Sequence, residues 1–256
     1  MILILKTGSA PANIRAVRGD FEDWIGNKMQ LNESDYDVCV AGDYQTIPPE
    51  RPYSGIVVTG SPMMVAELEW ENRRLCNWLL EKQQGGIPIL GICFGLQLLA
   101  VLNGGTVAAN LSGTEIGSAR TRLTRSGRQD LLLGDLPPVF EVYKSHKQSV
   151  SSLPEACEIL ATNSSGLIDA VRFSARSWGV QFHPEFDGSI TRLYLQEKSV
   201  ELVSEGVDVQ KMLKRVVEVD YGMKILRRFK EIALSFPEKG ISASECTTIR
   251  YFPDDK

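Results

Sequence analysis

The chain has 256 residues, 43% hydrophobic and 23% charged, with a formal net charge of −4, enough to bury a sizeable core as one domain and too balanced for a nucleic-acid or membrane-surface binder. Cys39, Cys76, Cys93, Cys157 and Cys246 are scattered without a CxxC pair, which excludes zinc-site spacing and a disulfide framework and fits a reducing compartment. MILILK is too short for a signal peptide and no window approaches a membrane span, so the expectation is a cytoplasmic protein with no membrane and no nucleic-acid partner.

In the first half, short apolar runs alternate with helical periodicity, the pattern of helices packed on a mostly parallel sheet. MILILK is the first buried strand, IRAVRGDFEDWIG a helix, DVCVAGD the second strand, and SGIVVTGSP a third that ends in a glycine turn. AELEWENRRLCNWLLEKQQGG puts Leu68, Leu75, Trp78 and Leu79 among polar residues and closes on a glycine pair, as a capped amphipathic helix does. IPILGI is the fourth strand. From residue 105 the chain turns β-rich, through GTVAAN, IGSARTRLT, FEVYKSH, ACEILATN, IDAVRFSA and SWGVQFHPEF, an antiparallel or mixed extension of the same core. Residues 188–219 regain helical spacing, GMKILRRFKEIALSF is a closing helix, and a polar tail covers about 237–256. With no repeat or linker to divide it, the chain reads as one domain over 1–256, with a helical insertion at about 187–220. The basic stretch RTRLTRSGR, with Arg120, Arg122, Arg125 and Arg128, fits a solvated hairpin.

ILGICFGLQLLA, residues 89–100, sets Cys93 between Gly91 and Gly95 where a strand turns into a helix. This is the cysteine counterpart of a nucleophile elbow. Glycines relieve the crowding around a strained central residue, and the N-terminus of the helix favours thiolate over thiol. Taken alone, Cys93 reads equally well as a small buried hydrophobe. A second feature decides between the two. QFHPEF holds His183 two residues before Glu185, with Pro184 between, so that in an extended segment the carboxylate and the imidazole project to one side. Nucleophile, base and orienting acid are what covalent acyl transfer requires, and Cys93, His183 and Glu185 supply them.

GICFGLQ followed some ninety residues later by GVQFHPE resembles the class I, triad-type glutamine amidotransferases, over residues 1 to about 186 and again in the last helix. TGSP, EIG and YKSHKQSV make the chain most similar to the amidotransferase part of guanosine-monophosphate synthase and its stand-alone relatives. The resemblance implies an α/β, flavodoxin-like fold, a seven-stranded or similar mixed, mostly parallel sheet flanked by helices, and hydrolysis of the glutamine side-chain amide to glutamate and ammonia with no cofactor and no metal. It implies an oxyanion hole from the N–H of Phe94 and a second donor in the TGSP turn. That turn reads Ser-Gly-Gly-Pro in the family, so either Gly60 or Ser61 supplies the donor. Gln97, one helical turn beyond Cys93, is suited to the α-amino or carboxylate end of the substrate, or is a polar residue at a helix edge. Ser145 and His146 shape the substrate loop, where Lys147 and Gln148 replace the family's Gly-Asp.

No second domain with an ATP-pyrophosphatase or P-loop signature follows, so ammonia passes to a separate synthase or is released. Two other readings stay open: a γ-glutamyl peptidase using the same three residues on a γ-glutamyl compound, and an inactive ligand-sensing homologue. The apolar residues of the insertion, Ile190, Leu193, Leu195, Val200, Leu202 and Val203, cover the core or build a lid or partner surface.

Overall fold

Each early apolar run is a strand: β1 (Ile2–Lys6), β2 (Tyr36–Val40), β3 (Gly55–Val58) and β4 (Ile89–Ile92). The computed structural model describes residues 1–43, 45–65, 73–111 and 113–235. Strands β1, β3 and β4 are buried throughout, which is why they read as unbroken Ile/Leu/Val runs rather than as alternating ones. The helices between them are α1 (Ala12–Arg18), α2 (Phe21–Met29), α3 (Arg73–Gln84) and α4 (Phe94–Leu102).

The single helix expected over IRAVRGDFEDWIG is instead two. The chain breaks after Arg18, and the Asp20 carboxylate accepts from the N–H of Phe21 while Asp23 reaches back to the N–H of Asp20, a reciprocal cap that starts α2 afresh. Asp20 also takes bonds from the Ala10 N–H and from Lys6 Nζ, both at 2.8 Å, and so pins the loop after β1. In α3, Leu75, Trp78 and Leu79 are buried as the periodicity requires; Leu68 lies outside the described residues.

The second half contains β5 (Thr106–Ala109), β6 (Glu115–Leu123), β7 (Val139–His146), β8 (Gln148–Ser152), β9 (Glu158–Asn163), β10 (Ile168–Ser174) and β11 (Ser177–Val180). Helices α5 (Gly188–Glu197), α6 (Ser199–Ser204), α7 (Val209–Arg215) and α8 (Tyr221–Leu234) follow. Among the described residues, the main sheet has nine strands in the order β2-β1-β3-β4-β11-β10-β9-β6-β7. Ladders from β2 to β11 are parallel, and those from β11 to β7 are antiparallel. The sheet is thus mixed and larger than seven strands, and its parallel part follows the flavodoxin-like order.

Three local expectations are corrected. GTVAAN does not extend the main sheet: among the described residues β5 pairs only with β8, in a separate two-stranded ribbon. The basic stretch is not a hairpin, because Arg120 and Arg122 lie on β6, which is clasped between β7 and β9. YKSHKQ is less a loop than a bend, since β7 runs through Ser145 and His146 and β8 resumes at Gln148.

Apolar clusters pack both faces of the sheet, with Trp178, Phe182 and Phe229 on one side and Trp78, Phe94 and Leu96 on the other. Helix α8 buries Ile225, Leu226, Phe229, Ile232 and Ala233, the i, i+1, i+4, i+7, i+8 stripe of a core-facing helix. In the 187–220 segment, Ile190, Leu195 and Leu202 are buried and Leu193 packs partly, whereas Val200 and Val203 are exposed. The polar tail and Cys246 lie outside the described residues. The carboxyl ends of β1, β3, β4 and β11 meet on one edge, where sheets of this order place their ligands.

Candidate active site

Cys93 is the turn between β4 and α4, with φ 51° and ψ −100°. A non-glycine residue with positive φ outside the left-handed helical well is strained and persists only where its surroundings hold it. They do so here: the Cys93 N–H donates to Val180 O at 2.7 Å, and Cys93 O accepts from the Gln97 N–H at 3.1 Å. The glycines follow from crowding. A Cβ on Gly91 would lie 2.5 Å from the Gly95 carbonyl carbon, and one on Gly95 would lie 2.5 Å from Val58 O. Only hydrogens fit where the elbow folds back on itself. Cys93 is only 5% exposed, yet it lines a cavity of about 440 Å³, a volume typical of small-molecule sites.

His183 reaches the cavity from the far side of the sequence, just past β11. Its Nδ1 lies 2.7 Å from Oε1 of the fully buried Glu185. The pair does not sit in an extended segment as expected. Phe186 N–H donates to His183 O at 3.3 Å, closing a tight turn with Pro184 at its second position, and the turn itself brings carboxylate and ring together. Lys28 donates to Pro184 O at 3.3 Å and to Phe186 O, holding the turn from outside. Phe186 stacks on the imidazole at 4.1 Å and Phe21 lies parallel to it at 6.2 Å. Burial opposes a charged ring, but the Glu185 carboxylate and the Cys93 sulfur, which also shares a side-chain hydrogen bond with it, outweigh burial and push His183 up to about 10.

One residue at the sulfur lies outside the set expected from the sequence. Gln181, fully buried, donates from Nε2 to Cys93 Sγ at 3.5 Å. Its carbonyl end is fixed by Gln97, whose Nε2 donates to Gln181 Oε1 at 3.2 Å and to Gln148 O at 2.8 Å. Gln97 lines the cavity, but its N–H groups are turned to the protein rather than to a ligand. The available signal was position: Gln181 is two residues before His183 in the same strand exit.

Ser145, His146, Lys147 and Gln148 all line the cavity. The His146 ring is engaged elsewhere, with Nδ1 3.0 Å from Gln148 O and Nε2 3.1 Å from Glu115 Oε2. Burial pulls its pKa down. Beneath it, Lys144 is almost fully buried between Asp169 Oδ1 at 2.6 Å and Glu115 Oε2 at 3.0 Å. Burial raises the Glu115 carboxyl, but His146 and Lys144 overcome it and hold that group at about 2.

Phe94 opens helix α4 and lines the cavity, as does Ser61. Gly60 packs against the imidazole, where a Cβ would come within 3.1 Å of His183 Cε1. From the 187–220 segment, Tyr194, Lys198 and Glu201 complete the cavity wall. Among the described residues, no group of His, Cys, Asp and Glu is arranged to hold a metal, and no helix is long and apolar enough to cross a membrane.

A family model described as glutamine amidotransferase class-I matches residues 28–201. A GMP synthase (glutamine-hydrolysing) of Porphyromonas gingivalis is 32% identical over 173 residues, 67% of this chain and 31% of that one, so the chain spans about a third of that relative's length. A glutamine-hydrolysing GMP synthase subunit of Saccharolobus solfataricus is 31% identical over 57% of this chain and 78% of its own. A γ-glutamyl-L-1-hydroxyisopropylamide hydrolase of a Pseudomonas species is 32% identical over 62% of this chain and 56% of its own. Among solved structures, a glutamine amidotransferase from Thermotoga maritima superposes with a TM-score of 0.73 at 20% identity, covering 92% of this chain and 99% of that one.

Proposed function

The chain belongs to the class-I glutamine amidotransferase family, and on that premise we propose that it hydrolyses the side-chain amide of glutamine to glutamate and ammonia through a γ-glutamyl thioester on Cys93. The observation that carries this reading is the meeting of a strained, cavity-facing Cys93 with a His183 whose other nitrogen rests on buried Glu185.

The Cys93 sulfur adds to the carboxamide carbon of glutamine, and the oxyanion is met by the Phe94 N–H and a second N–H from the TGSP turn. Ser61 suits that second role better than Gly60 because it lines the cavity. Each such donor contributes about 3–4 kcal/mol to transition-state stabilisation in acyl transfer. His183 gives its proton to the departing ammonia, then takes one from the water that cleaves the thioester. Glu185 keeps the ring in register throughout. Gln97 acts as a positioning residue behind Gln181, and Ser145 and His146 shape the wall that receives the glutamyl group. The ammonia goes to a separate synthase, a reading supported by the Saccharolobus relative, whose name marks it as one part of a larger enzyme. Free Cys39, Cys76, Cys93 and Cys157 support a reducing, cytoplasmic setting.

A second reading, hydrolysis of a γ-glutamyl compound by the same steps, is favoured by the Pseudomonas relative. Product analysis with glutamine and a panel of γ-glutamyl dipeptides tests both. Ammonia from glutamine is expected, released amino acid supports the second reading, and turnover of neither overturns both.

A further inference from the structure

Among the described residues, the charged groups at the cavity are paired with one exception. Glu185 is held against His183, Lys147 is paired with Glu201, and Glu115 lies between Lys144 and His146. Lys198 lines the same cavity, partly buried, and its ammonium has no hydrogen-bond or ion-pair partner among the described residues. Lys198 is the residue that joins α5 to α6, and one turn earlier, on α5, Tyr194 also lines the cavity. The Tyr194 ring packs on Phe186 at 4.8 Å, while its hydroxyl makes no hydrogen bond among the described residues. The backbone joins the two directly, Lys198 N–H donating to Tyr194 O at 3.0 Å. Lys198 thus follows Tyr194 by one turn at the end of α5, and the phenol and the ammonium belong to the lining of one cavity.

Both groups are partly dehydrated: burial pulls Lys198 down and pushes Tyr194 up. Glu201, the Cys93 sulfur and Glu205 attract this cation without bonding to it, and an ammonium with no contact partner in such a wall is costly unless a ligand supplies one. Its position is also fixed, because the Lys147–Glu201 ion pair ties α6 to the bend after β7, just beyond Lys198. An ammonium has only donors to offer, and a phenol can add one more. Their joint complement is an anionic acceptor.

We propose that Tyr194 and Lys198 form a carboxylate-binding subsite, so that this site selects amide substrates bearing a carboxylate. The proposal rests on the hydrolase reading above and names its substrate class. Two parts of a substrate can supply the group: the α-carboxylate of the glutamyl moiety, or a carboxylate on the leaving amine. The residues come from the helical segment after the histidine turn, which places selection on a part of the chain distinct from the elbow and the turn.

The test compares kcat/KM for two pairs of substrates, glutamine with its α-carboxamide analogue and γ-glutamylglycine with γ-glutamylglycinamide, in the wild type, Lys198→Met, Lys198→Arg and Tyr194→Phe. A charged hydrogen bond supports a preference of about tenfold or more. The wild type should prefer the carboxylate member of at least one pair by that factor, Lys198→Met should collapse the ratio, Tyr194→Phe should reduce it, and Lys198→Arg should retain most of it. Collapse in the glutamine pair assigns the α-carboxylate, and collapse in the glycine pair assigns the leaving group. Equal losses on both members of each pair, or unchanged ratios, overturn the subsite while leaving the hydrolase reading intact. If the wild type turns over none of the four, the hydrolase reading falls, and calorimetric binding of γ-glutamylglycine to Cys93→Ser protein decides the subsite: affinity lost with Lys198→Met supports it, and unaltered affinity or no binding overturns it.

Discussion

The side-chain amide of Gln181 donates to the sulfur of Cys93 across 3.5 Å, and Gln97 holds that amide so that its nitrogen, not its oxygen, faces the sulfur. A donor at this point stabilises a thiolate and fixes its direction. Gln181→Glu replaces the donor with a like charge at nearly constant volume. Its alkylation by iodoacetamide should move to higher pH than in the wild type, with kcat/KM down about tenfold or more. A purely structural Gln181 would lower the melting temperature and leave the pH profile of alkylation in place.

His183 binds its proton more tightly in the folded protein, where it titrates at about 10, than at its ordinary 6.5. Its contribution to stability is therefore fully present below pH 6.5 and fades as the pH rises through about 10. Denaturant melts across that window should show the loss. Cys93→Ala removes one of the charges that raise the ring and should flatten the decline. Activity should fall on the same alkaline limb, because a neutral ring has no proton for the leaving ammonia.

Gly95 leaves no room for a methyl group: a Cβ there meets Val58 O at 2.5 Å and the Val58 Cβ at 3.1 Å. Gly95→Ala has to move the elbow or β3, an overpacking cost of about 1–3 kcal/mol. Since the proposed oxyanion donors, the Phe94 N–H and the turn after β3, adjoin those two elements, turnover should fall more steeply than stability, a split read by comparing kcat with the denaturation midpoint.

Lys144 is 1% exposed and Asp169 is wholly buried, with 2.6 Å between them. Asp169→Ala removes one of the two carboxylates on a buried cation underneath the Ser145–Gln148 bend and, with Glu115 still 3.0 Å from Lys144, should cost about 1–3 kcal/mol. The accompanying change in the bend should raise KM, and a variant that melts as the wild type does would show that the pair is not structural. On the acid side, Glu115, held at about 2 against an ordinary 4.5, contributes stability above pH 4.5 that is lost as the pH falls through 2.

The parallel half of the fold was legible because buried strands such as Ile2–Lys6 and Ile89–Ile92 carry their signal in every residue. The cysteine elbow was legible for the same local reason: its glycines are demanded by contacts between residues close in sequence or on neighbouring strands. Pairing partners were not. Nothing in GTVAAN says that it joins Gln148–Ser152 rather than the main sheet, since that choice depends on what the other edges already hold. The break after Arg18 rests on Asp20, whose carboxylate binds Ala10 and Lys6 as well as its own helix, contacts outside the local pattern of IRAVRGDFEDWIG. Gln181 was hidden because its role arises from Gln97 and Cys93, more than eighty residues away. The geometry at Glu185 differed from expectation because Pro184 serves a turn as readily as an extended segment.

Whether Cys93 is the nucleophile is settled most directly by covalent capture. The protein is incubated with a chloroketone analogue of glutamine, digested and mapped by mass. One adduct on the peptide carrying Cys93, slowed by excess glutamine and absent from Cys93→Ala, is the expected result. An adduct on any other residue, or none under conditions where the protein remains folded, would contradict it.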